Sequence, residues 1–144
     1  MSTFIQSERP DSEDALLLIQ ELEAVLAPQY PVESRHGYSV GKLIDQKVEF
    51  FVLRHNGERA GCAGVQFYDG GDKLRYGEVK RMYVRTGFRG LGFARLLLKH
   101  LEETAAARAV QILRLETGIY QLEAIRLYDL IFAQRERDSI RSCN

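Results

Sequence analysis

The sequence predicts an α+β (α/β) domain: a mixed, mostly antiparallel twisted sheet flanked by helices, with one parallel β-α-β unit. Three observations predict it. Two strand-like runs are joined by His55-Asn56-Gly57-Glu58, whose Asn-Gly pair is a hairpin signal. Ala15, Leu18, Ile19, Leu22, Val25 and Leu26 recur at helical spacing, as do Ala94, Leu97, Leu98, Leu101 and Ala105. The second of these helices stands between strand-like runs at 79–84 and 112–117. Strand, helix, strand implies two parallel strands joined by a right-handed crossover.

In chain order, Thr3–Ser7 is a short strand closed by Pro10. Asp11 or Ser12 can cap the first helix, and Glu13 and Asp14 suit its positive N-terminus. Pro28 and Pro31 end it. Residues 32–46 are mixed, with a short helix near 40–44. Strands at 48–54, 59–68 and 74–84 then form an antiparallel meander with turns at 55–58 and 69–72. A further helix is expected at 121–132, with Leu122, Ile125 and Leu130 facing the core.

The composition is that of one ordinary domain of 144 residues, 45% hydrophobic and 28% charged. Lys+Arg and Asp+Glu are equal at 20 each, which argues against a nucleic-acid protein. Cys62 and Cys143 belong to no metal-ligand spacing and read as free thiols of a reducing compartment. The N-terminus has no signal-peptide pattern, and no apolar run reaches membrane-spanning length. A cytoplasmic protein with no nucleic-acid or membrane partner is expected.

The chemistry concentrates at 78–98. Val84 ends a strand, and Arg85-Thr86-Gly87-Phe88-Arg89-Gly90-Leu91-Gly92-Phe93-Ala94 leads into the helix. A helix N-terminus offers unpaired N–H groups and partial positive charge, and glycines let an anion approach the backbone. Arg85, Arg89 and Arg95 can add full charges, so the segment suits a pyrophosphate. A Walker loop is excluded because Gly92 is followed by Phe93-Ala94 rather than Lys-Ser/Thr. A dinucleotide fingerprint starting at Gly90 would put Arg95 at its third small position, and the next strand has no acidic residue placed for a ribose. The plain alternative is a tight turn with solvated arginines.

Arg89-x-x-Gly92-x-Ala94, after a strand and opening a helix, resembles the cofactor signature of the GNAT superfamily of acyl-CoA N-acyltransferases. Glu78 to Val84 resembles the strand before that signature, and Leu115-Glu116-Thr117-Gly118 the strand after it. Gln121, Ala124, Leu127 and Tyr128 match the family's later helix. The resemblance covers the order of elements from Thr3 to about Leu130, a single GNAT-like domain at 1–132. It implies transfer of an acyl group, usually acetyl, from acetyl-CoA or another acyl-CoA to an amine, with no metal. It implies cofactor contacts from Met82, Tyr83 and Val84 to the pantetheine arm. Arg89, Gly90, Leu91, Gly92, Phe93, Ala94, Arg95, Gln121 and Ala124 are the other expected cofactor residues.

An amine of pKa about 10 is protonated at neutral pH and must lose a proton before it attacks. By resemblance Glu78 is the candidate base; the other reading pairs it with Lys80 or Arg81. Glu116 is a second candidate, and His36 reads as a surface residue. Tyr128 is the candidate acid for the leaving thiolate, or else a core aromatic. Tyr30, Tyr38 and 32–46 border the expected acceptor side, with the acceptor open between a small-molecule and a protein amine. Residues 133–144 form a polar tail, and the strands the family places there have no counterpart, so these C-terminal strands are expected to be missing. Two consequences are expected: a homodimer covering the edge of the strand at 112–117, or a CoA-binding protein with weak or no transfer.

Overall fold

The computed structural model describes residues 2–26, 39–69 and 75–115. Over these residues the predicted order holds: β1 (Thr3–Ser7), α1 (Glu13–Leu26), α2 (Val40–Asp45), β2 (Glu49–His55), β3 (Glu58–Tyr68), β4 (Tyr76–Val84), α3 (Phe93–Ala107) and β5 (Ile112–Leu115). The strands form one sheet in the order β1-β2-β3-β4-β5. The first three pairings are antiparallel, and β4 and β5 are parallel, from Tyr76↔Ile112 to Val79↔Leu115. Residues 116–144, including the expected helix at 121–132 and the polar tail, lie outside the described residues.

Local chemistry accounts for these elements. Ser12 caps α1, its Oγ accepting the Ala15 N–H at 3.2 Å while its carbonyl accepts from Leu16. Ser39 caps α2 in the same way, accepting from the Lys42 N–H at 3.2 Å. Asn56 (φ 52°) and Gly57 (φ 82°) both take positive φ in the β2–β3 turn, as a two-residue hairpin of primed type requires.

Each face of the sheet buries its own core. On one face Phe51, Leu53, Ala63, Val65, Val79 and Met82 pack with Phe93, Leu97, Leu98 and Leu101 of α3. On the other, Phe50, Val52 and Cys62 pack with Ala15, Leu18, Ile19 and Leu22 of α1 and Leu43 of α2. Burial raises the Cys62 thiol far above its ordinary pKa, so it is a core residue and not a nucleophile.

β4 departs from a regular strand at one point. Cys62 pairs with Tyr83 and Gly64 with Lys80, so Arg81 and Met82 together stand opposite Ala63. This is a β-bulge, and Arg81 takes the left-handed φ of 51°. The bulge turns the Arg81 side chain toward α1, where it pairs with Glu23, and returns Met82 to the α3 face.

Candidate acyl-donor site

The Arg/Gly-rich segment lies between the end of β4 and the start of α3. Residues Thr86–Phe88 form a single 3-10 turn, with the Phe88 N–H donating to Arg85 O at 2.9 Å. Gly90 (φ 83°) and Gly92 (φ 81°) are both left-handed, and Gly92 is the residue that starts α3. A Cβ at either would meet nothing within 4 Å, so both face open space. Among the described residues, the N–H groups of Gly90, Leu91 and Gly92 meet no backbone acceptor. The first-turn N–H groups of α3, from Phe93, Ala94 and Arg95, point the same way by helix geometry. Six main-chain donors and the positive end of a 15-residue helix thus gather where Gly90 and Gly92 face open space. An acyl-CoA pyrophosphate fits that donor set.

The side chains divide differently from the main chain. Phe93 is buried in the α3-face core, so only its N–H is available to a ligand. Leu91 is 58% exposed at the lip, and Arg95 is exposed on the first turn of α3. Arg89 is exposed, and its Nε donates to Val84 O at 3.0 Å, tying the loop to the strand end. Arg85 does not join them. Its Nε donates to Glu21 Oε1 at 3.0 Å and its Nη1 to Arg59 O at 3.4 Å, which turns its charge toward α1. The expected third cation of the cradle is therefore committed elsewhere, because α1 brings a carboxylate that local sequence could not place.

Met82, Tyr83 and Val84 occupy the end of β4 just past the bulge. The Met82 side chain is in the α3-face core, and Tyr83 points to the α1 face. The Tyr83 hydroxyl donates to Glu21 Oε1 at 3.2 Å; burial first, and then the Glu21 charge, raises its pKa. Glu21 thus holds Tyr83 and Arg85 together at the strand end.

Glu78 lies on the α1 face of β4, and its Oε1 accepts from Lys80 Nζ at 2.9 Å. Lys80 is 4% exposed and Glu78 26%, so the pair is half-sunk beneath the surface. The ion pair anticipated beside the base role is therefore present. Lys80 is the residue that sequence reasoning undervalued. Its signal was available, since positions 78 and 80 share a strand face. Gln121, Ala124, Tyr128 and Glu116 lie outside the described residues, as do His36, Tyr30 and Tyr38. Among the described residues no helix is long and apolar enough to cross a membrane.

Comparisons with known proteins bear on this geometry. The acetyltransferase (GNAT) family model matches residues 15–132. The chain is 38% identical over 124 residues to an IAA acetyltransferase of Azospirillum brasilense, covering 86% of this chain and 79% of that protein. It is 33% identical over 88 residues to an uncharacterized N-acetyltransferase of Bacillus subtilis, covering 61% of this chain and 56% of that protein. Among solved structures, it is similar to a Klebsiella pneumoniae protein described as an acyl-CoA N-acyltransferase. That likeness has a TM-score of 0.67 at 30% identity and covers 88% of this chain and 79% of the other. A ribosomal-protein-alanine N-acetyltransferase of Brucella melitensis gives a TM-score of 0.72 at 23% identity over 90% of both chains, a likeness of fold.

Proposed function

The chain belongs to the acetyltransferase (GNAT) family and is an acyl-CoA-dependent N-acetyltransferase; from that premise we propose how its residues divide the reaction. The donor is acetyl-CoA or another acyl-CoA, which when bound supplies a thioester whose acyl carbon an amine attacks. The observation that carries the placement is the pair of left-handed glycines, Gly90 and Gly92, exposing unpartnered N–H groups at the start of α3. Gly90, Leu91, Gly92, Phe93, Ala94 and Arg95 hold the pyrophosphate through their N–H groups, with charge from Arg95 and Arg89. Main-chain groups of Met82, Tyr83 and Val84 align the pantetheine arm. The sheet supports this, because among the described residues β5 pairs with β4 only as far as Val79, leaving the β5 side of Met82, Tyr83 and Val84 without a strand partner. Gln121 and Ala124 complete the cofactor side.

Glu78 takes the proton from the acceptor amine. Its pairing with Lys80 supports the role in one respect: the carboxylate is held in one rotamer on the acceptor face. The Val84 N–H faces the negative charge that develops on the carbonyl oxygen. Tyr128 returns a proton to the departing sulfur, a step uphill by about 2 kcal/mol from a phenol of pKa about 10 to a thiolate whose acid lies near 8.5, and the phenolate regains its proton from solvent. The reading includes a single domain over 1–132 and a homodimer formed through the β5 side. A monomer by light scattering would count against the dimer.

The test combines calorimetry with acetyl-CoA and release of free CoA thiol against a panel of amines. Wild-type protein binds acetyl-CoA and releases thiol only with an acceptor present. Tyr128→Phe retains binding and lowers kcat by about 10- to 100-fold. An unchanged rate in Tyr128→Phe removes that residue from the mechanism.

A further inference from the structure

The α1 face of the sheet carries a row of polar side chains across three strands. Gln66 on β3 is paired with Glu78 on β4, and Glu78 with Arg114 on β5. Direct cross-strand partners project from the same face. Gln66 is 7% exposed, and its Oε1 is buried with no hydrogen-bond partner. Its Nε2 reaches only Gln46 Oε1, at 3.4 Å. A buried carbonyl left without a donor is uncommon and costly, and it marks the inner, polar end of the row.

The charges of the row are uneven. Lys80 and Glu78 neutralise one another. The Arg114 guanidinium lies over the Tyr76 ring, 4.3 Å from its centroid, and Tyr76 stacks on Tyr68 at 4.9 Å and 15°. Arg114 has no carboxylate within ion-pair distance among the described residues. A guanidinium over an aromatic face can still grip a carboxylate through its N–H fork, and Arg114 is exposed. The row therefore presents a carboxylate base on β4 and, one strand away, an exposed cation with no carboxylate partner among the described residues.

We propose that this row is the acceptor seat and that it selects a primary amine carrying a carboxylate, an amino-acid-like molecule. The amine lies against Glu78, and the carboxylate is held by Arg114. Neighbouring strands are roughly 5 Å apart, so amine and carboxylate ends separated by one strand spacing fit α- to γ-amino acids. The net positive charge of the row disfavours a polyamine, and a protein lysine brings no carboxylate at that distance. The inference rests on the reading of Glu78 as the base that faces the acceptor.

The experiment pairs each amino acid with its decarboxylated amine, for example phenylalanine with phenethylamine and γ-aminobutyrate with propylamine, and measures kcat/KM for both. The expected wild-type ratio is at least about tenfold in favour of the carboxylated member. Arg114→Gln brings the ratio to within about threefold of one, and Arg114→Lys restores part of it. Arg114 is exposed, and thermal melts establish that both variants fold. Equal use of the two members, preference for a polyamine, or an unchanged ratio in Arg114→Gln overturns the proposal. If acetyl-CoA binds but no amine is acetylated, the transfer reading fails separately. The seat is then judged by saturation-transfer NMR on the CoA-loaded protein. Preferential binding of the amino acid, lost in Arg114→Gln, sustains it, and indifference to the carboxylate overturns it.

Discussion

The two faces of the sheet are built from different materials. The α3 face is apolar at its centre, where Leu53, Val65, Val79 and Met82 meet Leu97, Leu98 and Leu101; His100, His55 and Arg108 reach it only as ring contacts with Phe51, Phe93 and Phe67. The α1 face begins in the same way around Leu18 and Phe50, but becomes ionic where it reaches β4. There Glu78, Lys80, Arg81 and Tyr83 lie in succession, with Glu21 and Glu23 of α1 reaching across to them. Apolar burial is non-directional and supplies stability, whereas buried charge contributes little net stability and fixes geometry. The contrast assigns folding to the α3 face, and orientation and recognition to the α1 face. The cradle sits at the rim that both share.

That division can be broken by substitutions that act on one side only. Leu97 is fully buried in the α3-face cluster and approaches Gly61 of β3. Leu97→Ala should lower unfolding free energy by about 2–5 kcal/mol, through lost transfer energy and a residual cavity. Urea denaturation with an unchanged m-value is the measurement. Molecules that remain folded should bind acetyl-CoA with near wild-type affinity. A large affinity loss with little destabilisation would show that the α3 face does more than fold the chain.

Gly92 tests the rim in the opposite sense. At φ 81° a β-branched side chain is strained by about 1–2 kcal/mol, although open space surrounds the position. Gly92→Val should therefore destabilise less than Leu97→Ala. It should nevertheless weaken acetyl-CoA binding by at least about 100-fold in calorimetry, because a side chain occupies the anion's approach. Retained affinity would remove the glycine cradle from the donor site.

The two faces were not equally legible in the sequence. Apolar period alone placed α1 and α3, and the Asn56-Gly57 pair fixed the hairpin, because these signals are local. The cradle was legible for the same reason: glycines, arginines and a helix start are contiguous. The bulge at Arg81 was not, since an arginine at positive φ carries no turn signal and is imposed by the mismatch with β3. Nor was the diversion of Arg85 to Glu21, which joins residues 64 positions apart. The row from Gln66 through Glu78 to Arg114 depends on the register of three strands, which periodicity leaves undetermined. Local rules thus described the apolar face well and the ionic face poorly, because ion pairs there are set by tertiary placement.

The smallest expected effect lies at the outer end of the α1 face. Asp14, in the first turn of α1, accepts from Arg59 Nη1 at 2.7 Å and Arg54 Nη2 at 2.8 Å, pinning the helix to the β2–β3 hairpin. The hydrogen bond from Arg59, and then that from Arg54, holds its carboxyl below the ordinary aspartate range, with burial opposing. A carboxyl depressed in the folded state stabilises the protein above its unfolded pKa of about 4. That contribution fades as pH falls through the lower folded value. Asp14→Asn should cost about 1 kcal/mol at pH 7, discounted because the carboxylate is part-exposed and Glu8 still neutralises Arg54. The difference between wild type and Asp14→Asn should shrink on acidification below about pH 4, as the wild-type carboxyl itself takes up a proton. Chemical denaturation of both proteins from pH 7 to pH 3 measures it. A difference that stays constant over that range would mean that Asp14 acts by packing rather than by charge, and that the α1 face is less electrostatic than its ion pairs suggest.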